Sequence, residues 1–245
     1  MADNGVNAHF RVISNGIPEE YCPSQWERPN WMNDKFVILN IGRHAMEKRQ
    51  DLLIKGVINS KYKDNIQLLL CGKGEDTEKL VQMGKELPVK PVIGYATHEE
   101  KMSYLNTSDL YLHSSVVELE SLSCLEAIGC GLPCLIGNSP YSAAPQFAPD
   151  ERFVFQMDDA VSLGDKIDYW YENRETLFQL KQLFLMMADR FRFDKCITKM
   201  ESFYDELTSF NVKELEKQLS NMEEFYKDMS VSDLGNHNIP VSNQY

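Results

Sequence analysis

Two glutamates that flank the start of a predicted helix are the most informative residues for chemistry. Glu118 and Glu126 are separated by seven residues, and the helix is predicted over Ser121–Gly129. Backbone amides in a first helical turn have no partner within the helix, so they can bind an anion unless Ser121 caps the helix itself. Glu126 falls in an apolar, small-residue stretch, where a carboxylate needs a hydrogen-bonding partner. Hydroxyl groups of a ligand and a structural partner would both satisfy that need.

Positive charge and glycine follow two predicted strands upstream. Gly42 ends one strand, and Arg43 and Lys48 lie in the loop that enters the next helix. Two cations at the carboxyl end of a strand suit a diphosphate, because both form charge-assisted hydrogen bonds with phosphate oxygens. Gly72 and Gly74 form a G-x-G turn without the third glycine of the dinucleotide fingerprint, and they would equally serve as a plain turn.

An alternation of strands and helices that begins near residue 36 has to position these groups. It implies an α/β domain with a doubly wound parallel sheet (Rossmann-like), whose ligands bind beyond the carboxyl ends of the strands. Short apolar runs predict the strands, and segments of helical period predict the helices. The predicted strands are Phe36–Ile41, Ile66–Cys71, Val89–Ile93, Leu110–His113, Leu132–Ile136 and Phe153–Phe155; the predicted helices are Glu47–Ser60, Glu75–Leu87, His98–Asn106, Ser121–Gly129, Ala160–Asn173, Leu177–Met187, Asp194–Leu207 and Val212–Met229.

The two ends of the chain have a different character. Residues 1–35 do not have the pattern of a domain; His9–Ile13 is predicted as one strand, and turn-forming residues follow it. The polar end, Ser230–Tyr245, has no periodicity and is predicted to be a flexible tail.

Composition narrows the class of protein. The 245 residues carry a net charge of −12, which argues against general nucleic-acid binding and against adhesion to anionic lipid by charge alone. The six cysteines show neither a C-x-x-C pair nor zinc spacing, so we predict reduced core cysteines and no metal site. No apolar run reaches the ~18 residues that span a bilayer, and the N-terminus lacks the pattern of a signal peptide. We therefore expect a cytoplasmic protein.

Four motifs, in order between Phe36 and Pro133, resemble one enzyme family. They are the G-R, E-K and D-L-L pattern that begins at Gly42, the G-x-G turn at Gly72, the turn Val92-Ile93-Gly94, and E-x7-E followed by A-x-x-x-G-x-P. Together they are similar to the large retaining glycosyltransferase family called glycosyl transferases group 1, or family 4. The resemblance implies a GT-B fold, and it identifies this chain with the C-terminal, donor-binding half of that fold.

The resemblance also implies a role for each site residue. The expected catalytic residues are Arg43 and Lys48, which would bind the donor diphosphate and neutralise its charge as it leaves, and Glu118, which would hydrogen-bond the transferred sugar. Glu126 would hold the ribose hydroxyls, the base would lie near the two glycine turns, and helix amides would meet the phosphate. The remaining expected donor contacts are Gly42, Gly72, Ile93, Gly94, Tyr95, Ser121, Leu122 and Ser123.

The implied reaction is retaining, metal-independent transfer of a hexose from a nucleotide-sugar, with a UDP-sugar as the expected donor and no further cofactor. The acceptor would be a lipid or a polysaccharide, bound mainly by an N-terminal domain that we expect to be missing from this chain. On this interpretation residues 1–35 are a remnant of that domain and the interdomain linker, 36–209 the donor-binding domain, and 210–245 a helical extension and flexible tail. Peripheral membrane association of the full-length parent is compatible with it.

Two alternatives stay open: a sugar-nucleotide epimerase of the same architecture, and a non-catalytic nucleotide-binding module. The pair of Arg43 and Lys48 together with E-x7-E favours transfer. The sequence departs from the family where many members have Gly-Phe-Gly after the first glutamate, since Leu119-Glu120-Ser121 stands there. Glu120 places a second anion near the expected sugar site, and the sequence does not decide whether it shares the role of Glu118.

Overall fold

The apolar runs of the sequence pair as a six-stranded parallel sheet in the computed structural model, which describes residues 10–228. The strand order is β3-β2-β1-β4-β5-β6, and the side chains of β1, β2, β4 and β5 are almost all buried, as expected for strands covered on both faces. The predicted doubly wound parallel sheet is confirmed. The strands are β1 Phe36–Ile41, β2 Ile66–Cys71, β3 Val92–Gly94, β4 Leu110–His113, β5 Cys134–Gly137 and β6 Val154–Phe155.

Helices connect the strands and flank the sheet. The helix α1 packs against α5, and α4 packs against α7. Both contacts belong to the apolar core, which buries Leu53 and Leu163 completely; such burial stabilises the fold by about 1.5–3 kcal/mol for each large aliphatic side chain. The helices are α1 Gln50–Asn59, α2 Thr77–Gly84, α3 His98–Thr107, α4 Leu122–Gly129, α5 Ala160–Glu172, α6 Arg174–Gln179, α7 Lys181–Asp189 and α8 Phe193–Asp228.

The direction of strand addition reverses between β1 and β4. The chain runs from β1 outward to β3, returns through α3 to β4 beside β1, and then runs outward to β6. The connections after β1 and β4 therefore leave in opposite directions and open a crevice beyond the carboxyl ends of these two strands. Ligands of doubly wound sheets bind at this switch point.

The described residues divide into two compact units. One is Ile13–Ile197, which contains the sheet, and the other consists of the described parts of residues 1–12 and 198–245. In the second unit Arg11 forms an ion pair with Glu206 and lies over the ring of Phe203 at 5.6 Å. The domain boundaries expected at residues 35 and 209 stay predictions.

Three strands differ from their predicted ranges for local chemical reasons. Strand β3 begins after Pro91, because proline has no amide hydrogen to donate to the ladder. Strand β5 begins after Pro133, since the amides of Gly131 and Leu132 bond back to the last turn of α4. Phe153 belongs to a short 3-10 turn, so β6 begins one residue later.

The helical predictions were correct in place and less accurate in their limits. Helix α1 begins at Gln50 rather than Glu47. Residues Met46–Lys48 form a 3-10 turn, and the left-handed φ of 50° at Arg49 separates that turn from the helix. The predicted helix Leu177–Met187 is two helices, α6 and α7, separated at Leu180. The last two predicted helices form the single helix α8.

The N-terminal strand prediction was wrong where it can be compared. Of His9–Ile13, His9 lies outside the described residues, and Phe10–Ile13 is not a strand. The nearest pairing is an isolated bridge between Ile17 and Arg192. Met229 and the predicted tail Ser230–Tyr245 also lie outside the described residues.

Candidate functional site

A cavity of about 610 Å³ opens at the switch point between β1 and β4. It is called here the central cavity and is bounded by the loop after β1, the loop after β4 and the beginning of α4. Eight predicted site residues line it: Gly42, Arg43, Lys48, Glu118, Ser121, Leu122, Ser123 and Glu126. The structure thus brings most of the predicted site together.

A smaller cavity of about 330 Å³ adjoins the central one on the β2 side and is called here the edge cavity. The two cavities share Ile41 and Gly42 in their walls. Two further predicted site residues, Gly72 and Tyr95, line the edge cavity, and Lys101 of α3 closes it. The pair of cavities offers an extended pocket that runs along the carboxyl edge of the sheet.

Two predicted site residues stand apart from both cavities. Ile93 lines a separate cavity of about 490 Å³, together with Leu87 and Pro91. Gly94 ends β3, where its carbonyl accepts a hydrogen bond from the amide of Gly72 at 2.8 Å. The structure therefore does not place Ile93 with the other predicted contacts. Gly94 supports the site indirectly, because its carbonyl holds the backbone of Gly72.

The two glycines that follow β1 and β2 differ in how closely the protein packs against them. A Cβ atom on Gly72 would lie 1.9 Å from the carbonyl oxygen of Gly42, so the packing of the two strands excludes any side chain there. A Cβ atom on Gly42 would meet nothing nearer than Gln50 Nε2 at 3.8 Å. No contact with a described residue requires glycine at position 42, and that position forms part of the wall of both cavities.

The loops after β1 and β4 are held together by hydrogen bonds to backbone carbonyls. Ser114 Oγ donates to the carbonyl of Lys48 at 2.7 Å, and the amide of Val116 donates to the carbonyl of Glu47 at 2.8 Å. This pairing brings Lys48 Nζ within 2.5 Å of Glu118 Oε1, where both side chains are about three-quarters buried or more. The ammonium and the first glutamate of the motif therefore form an ion pair inside the central cavity.

Arg43 is more exposed than Lys48. Its guanidinium lies 2.5 Å from Glu47 Oε1, four residues along the chain, and 61% of its side chain is exposed. The hydrogen bond to Glu47 is the main cause that raises the pKa of Arg43 above its usual value. Arg43 is a permanent cation that can turn toward a ligand only by leaving or sharing Glu47.

The N-terminus of α4 faces the central cavity without a side-chain cap. Ser121 stands at the cap position with a left-handed φ of 56°, and its hydroxyl makes no capping bond. Instead the hydroxyl lies 3.4 Å from the buried ring of His113. The first-turn amides of Leu122 and Ser123 have no acceptor in the helix, and both residues line the cavity. Their partial positive charge therefore faces the same space as Lys48.

The second glutamate of the motif has a structural partner. Lys101 Nζ lies 2.9 Å from Glu126 Oε1 and 2.8 Å from Oε2, and it also donates to Tyr21 Oη at 2.8 Å. Glu126 is 18% exposed and lines the central cavity, whereas Lys101 lines the edge cavity. The pair lies at the boundary between the two.

Glu120 is engaged differently from Glu118. Its Oε2 atom accepts hydrogen bonds from the backbone amide of Asn15 at 3.0 Å and from the Asn15 side chain at 2.7 Å. Both residues line the central cavity. Glu118 therefore pairs with the cation of the site, while Glu120 fastens the N-terminal segment to its rim.

Several residues of the site were missed in the sequence. Asn40 and Gln50 are buried polar residues in the cavity wall, and each uses its side-chain amide to bond a backbone carbonyl. A buried polar residue among apolar neighbours was a usable signal for both. Asn15, Tyr21 and Lys101 lie far along the chain from the motifs, and nothing in their local pattern points to the site.

Neither a metal cluster nor a bilayer-spanning helix occurs among residues 10–228. No group of three or more histidine, cysteine or acidic side chains in this part of the chain is placed to hold a metal ion. None of its helices combines the length and the apolarity needed to cross a bilayer.

Comparison with known proteins gives one family and one fold. The family model described as glycosyl transferases group 1 matches residues 24–182. The crystal structure of the catalytic domain of cholesterol-alpha-glucosyltransferase from Helicobacter pylori is 42% identical, covers 62% of this chain and 97% of that one, and superposes with a TM-score of 0.57. Anabaena HepE in complex with UDP and glucose is 17% identical, covers 81% and 57%, and gives a TM-score of 0.66, which shows the same fold.

A relative with a named glycosyltransferase activity also matches this chain. The GtfA subunit of the UDP-N-acetylglucosamine–peptide N-acetylglucosaminyltransferase of Streptococcus parasanguinis is 24% identical over 192 residues. The match covers 75% of this chain and 38% of the relative. The chain thus spans about two fifths of the length of that relative.

Proposed function

The chain belongs to the glycosyl transferases group 1 family, and on this premise we propose that its two cavities bind a nucleotide-sugar donor for glycosyl transfer. Its sheet is the Rossmann-like half of a GT-B fold. In this proposal the edge cavity takes the nucleoside, and the central cavity takes the diphosphate and the sugar. Lys48, Arg43 and Glu118 are the catalytic residues.

One observation carries the proposal: the ammonium of Lys48 and the uncapped amides of α4 converge on one cavity. Cleavage of a sugar–phosphate bond leaves negative charge on the departing diphosphate. Fixed positive charge and oriented amides at that position stabilise it more in the transition state than in the ground state. In this proposal the lysine and the helix amides stabilise the departing diphosphate, and no step requires a metal ion.

The names of two similar proteins support a choice of donor and stereochemistry. HepE binds UDP and glucose, which favours a UDP-hexose as the donor here. The Helicobacter pylori relative is named as an alpha-glucosyltransferase. Because glucose is α-linked in its common nucleotide-sugars, an α-linked product corresponds to retention of configuration. We therefore propose retaining transfer of a hexose from UDP.

A lipid is the acceptor that best fits the surface of the site. Val117, Leu119 and Leu122 line the central cavity while their side chains are half exposed or more, and Leu119 is 96% exposed. The 42% identical relative is named for transfer to cholesterol, which is an apolar acceptor. We propose a lipid acceptor in preference to a polysaccharide, and peripheral membrane association of the longer protein. The six cysteines are free thiols, which supports a cytoplasmic location.

Titration calorimetry of this chain tests the donor assignment. We expect binding of UDP and UDP-glucose, and weaker binding of GDP and ADP. Lys48→Ala should weaken UDP by about 1.5–3 kcal/mol, the worth of a charge-assisted hydrogen bond, and uridine hardly at all. Arg43→Ala should also weaken UDP binding, with a smaller loss of affinity, because the exposed side chain of Arg43 is already paired with Glu47.

The control is Lys55→Ala, which removes a lysine that pairs with Asp51 on α1, outside both cavities. Its UDP affinity should equal that of the wild type. Absence of UDP, GDP and ADP binding at millimolar concentration would rule out the donor-site assignment. Equal losses for uridine and UDP in Lys48→Ala would show that Lys48 acts only through the fold.

A further inference from the structure

Among the described residues, Lys101 is the charged side chain that contacts the carboxylate of Glu126, and it reaches that carboxylate from a different element. It projects from α3, whereas Glu126 lies on α4 and Tyr21 on the N-terminal segment. Lys101 Nζ contacts both carboxylate oxygens and the tyrosine hydroxyl, all within 2.8–2.9 Å. Three elements thus converge on one ammonium group at the junction of the two cavities.

The geometry leaves the carboxylate available to a ligand. An ionised carboxylate has about four lone-pair sites on its two oxygens, and one ammonium uses one site on each. The remaining sites can accept two neighbouring hydroxyl donors. Glu126 lines the central cavity, so those sites can be reached from the ligand side.

The side chain of Tyr21 holds the ammonium group of Lys101 in position. Tyr21 is 6% exposed, its hydroxyl accepts from Lys101, and the ammonium lies 4.7 Å from the centre of its ring. Burial by itself would lower the pKa of Lys101, but the hydrogen bonds to Glu126 and Tyr21 hold it above its usual value. Lys101 therefore stays charged and its position is determined on two sides.

We propose that Lys101, held by Tyr21, is a positioning residue that keeps the carboxylate of Glu126 oriented to accept the ribose hydroxyls of the donor. The proposal rests on the proposed function, since it requires a nucleotide in the two cavities. It adds to the donor site an α3 lysine and an N-terminal tyrosine that lie outside the four motifs. Without Lys101 the carboxylate of Glu126 would lose the ammonium group that contacts both of its oxygens, and it would be free to turn away from the ligand.

The test measures the preference for ribose. Dissociation constants for UDP and for 2′,3′-dideoxyuridine diphosphate are determined by calorimetry with the full 245-residue chain. The constant of the dideoxy nucleotide divided by that of UDP is the ribose-preference ratio, which reports the contribution of the ribose hydroxyls. Lys101→Met should reduce this ratio by about fivefold or more, and Lys101→Arg should restore most of it. Tyr21→Phe should change it in the same direction by less. Lys55→Met is the matched control and should leave the ratio unchanged.

A double mutant separates positioning from folding. In a Glu126→Gln background, Lys101→Met should cause no further change of the ratio, because the residue that it orients is already neutral. An unchanged or larger ratio in Lys101→Met, with the wild type still preferring UDP, would overturn this inference and leave the proposed function standing. Failure of the wild type to bind UDP at millimolar concentration would overturn both. A loss that is equal for the two nucleotides would mean that Lys101 only supports the fold.

Discussion

At the scale of single residues, the free space at Gly42 separates a ligand requirement from a folding requirement. Gly42 and Gly72 lie side by side at the ends of β1 and β2, yet only Gly72 is excluded from carrying a side chain by the protein itself. The face of Gly42 that lacks a Cβ is open and belongs to both cavities. Close approach of a ligand to the backbone explains a glycine at such a position.

We predict that Gly42→Ala folds normally and binds UDP at least several-fold more weakly. Its melting temperature should stay within a few degrees of the wild type, because the new methyl group meets only Gln50 at 3.8 Å. Gly72→Ala is the contrasting variant, since its methyl group would collide with backbone and should lower the melting temperature strongly. Scanning calorimetry and UDP titration measure both. Unchanged UDP affinity in a folded Gly42→Ala variant would contradict close backbone approach.

The ion pair of Lys48 with Glu118 gives a prediction with an unusual sign. A diphosphate has to share Lys48 with a carboxylate that already holds it at 2.5 Å. Glu118→Gln should therefore strengthen the binding of plain UDP, by about two- to fivefold if the pair is worth as much as other partly exposed pairs. The same variant should weaken UDP-glucose relative to UDP, because the sugar loses a charged acceptor.

Glu120→Gln is the matched comparison for that prediction. It removes one charge from the same cavity, but its carboxylate bonds Asn15 and does not hold Lys48. The gain in UDP affinity should be smaller for Glu120→Gln than for Glu118→Gln. Equal gains would indicate a general charge effect, and weaker UDP binding by Glu118→Gln would contradict competition for Lys48.

At the scale of elements, the contact of α1 with α5 determines how the loop after β1 is supported. A Cβ atom on Gly56 would meet the side chain of Leu163 at 2.5 Å, so the two helices approach as closely as a glycine permits. Leu163 is fully buried and has little room to move. The same helix α1 follows the loop that carries Arg43 and Lys48.

We predict that Gly56→Ala destabilises the fold by about 1–3 kcal/mol through overpacking, despite the roughly 1 kcal/mol that alanine gains in a helix. In a Leu163→Ala background the destabilisation should be much smaller or reverse in sign, because the two atoms at 2.5 Å are gone, only the Cβ atom at 3.2 Å remains, and the helix propensity of alanine is unchanged. Urea denaturation of the four variants measures this cycle. Destabilisation of the same size in both backgrounds would contradict close packing against Leu163. UDP affinity should not change in any folded variant, since neither residue lines a cavity.

The elements also show what the sequence could and could not predict. Periodicity placed all six strands, and chain order placed the residues after β1 and β4 at one edge, so Lys48 and Glu118 were expected together. The limits of the elements depended on features outside the periodic pattern, such as the missing amide hydrogen of Pro91 and the left-handed backbone of Arg49. The partners Asn15 and Lys101 were not predicted, because their contacts join segments that are distant in the chain.

At the scale of the whole molecule, an acidic chain places two cations and a helix N-terminus in its site. The chain has a net charge of −12, and the central cavity contains Lys48, Arg43 and the N-terminus of α4 beside the carboxylates of Glu118, Glu120 and Glu126. Charges farther away than about 8 Å are screened at physiological ionic strength. The affinity for a diphosphate is therefore set by the groups in the cavity, and the acidic surface limits non-specific binding of nucleic acids.

The last prediction concerns how much of the chain the site needs. Among residues 10–228, every residue that lines the central and edge cavities lies between Asn15 and Glu126, and all of them belong to the compact unit Ile13–Ile197. A chain that ends at residue 209 should therefore bind UDP with a dissociation constant within about twofold of the full chain, which is the usual limit of independence between distant sites. Calorimetry on both chains measures this, and Lys48→Ala should cause the same loss in each. Lost UDP binding by a shortened chain that keeps its circular dichroism and melting transition would show that residues beyond 209 take part in donor binding. An unchanged affinity would place the whole determinant of donor binding in the sheet-containing unit.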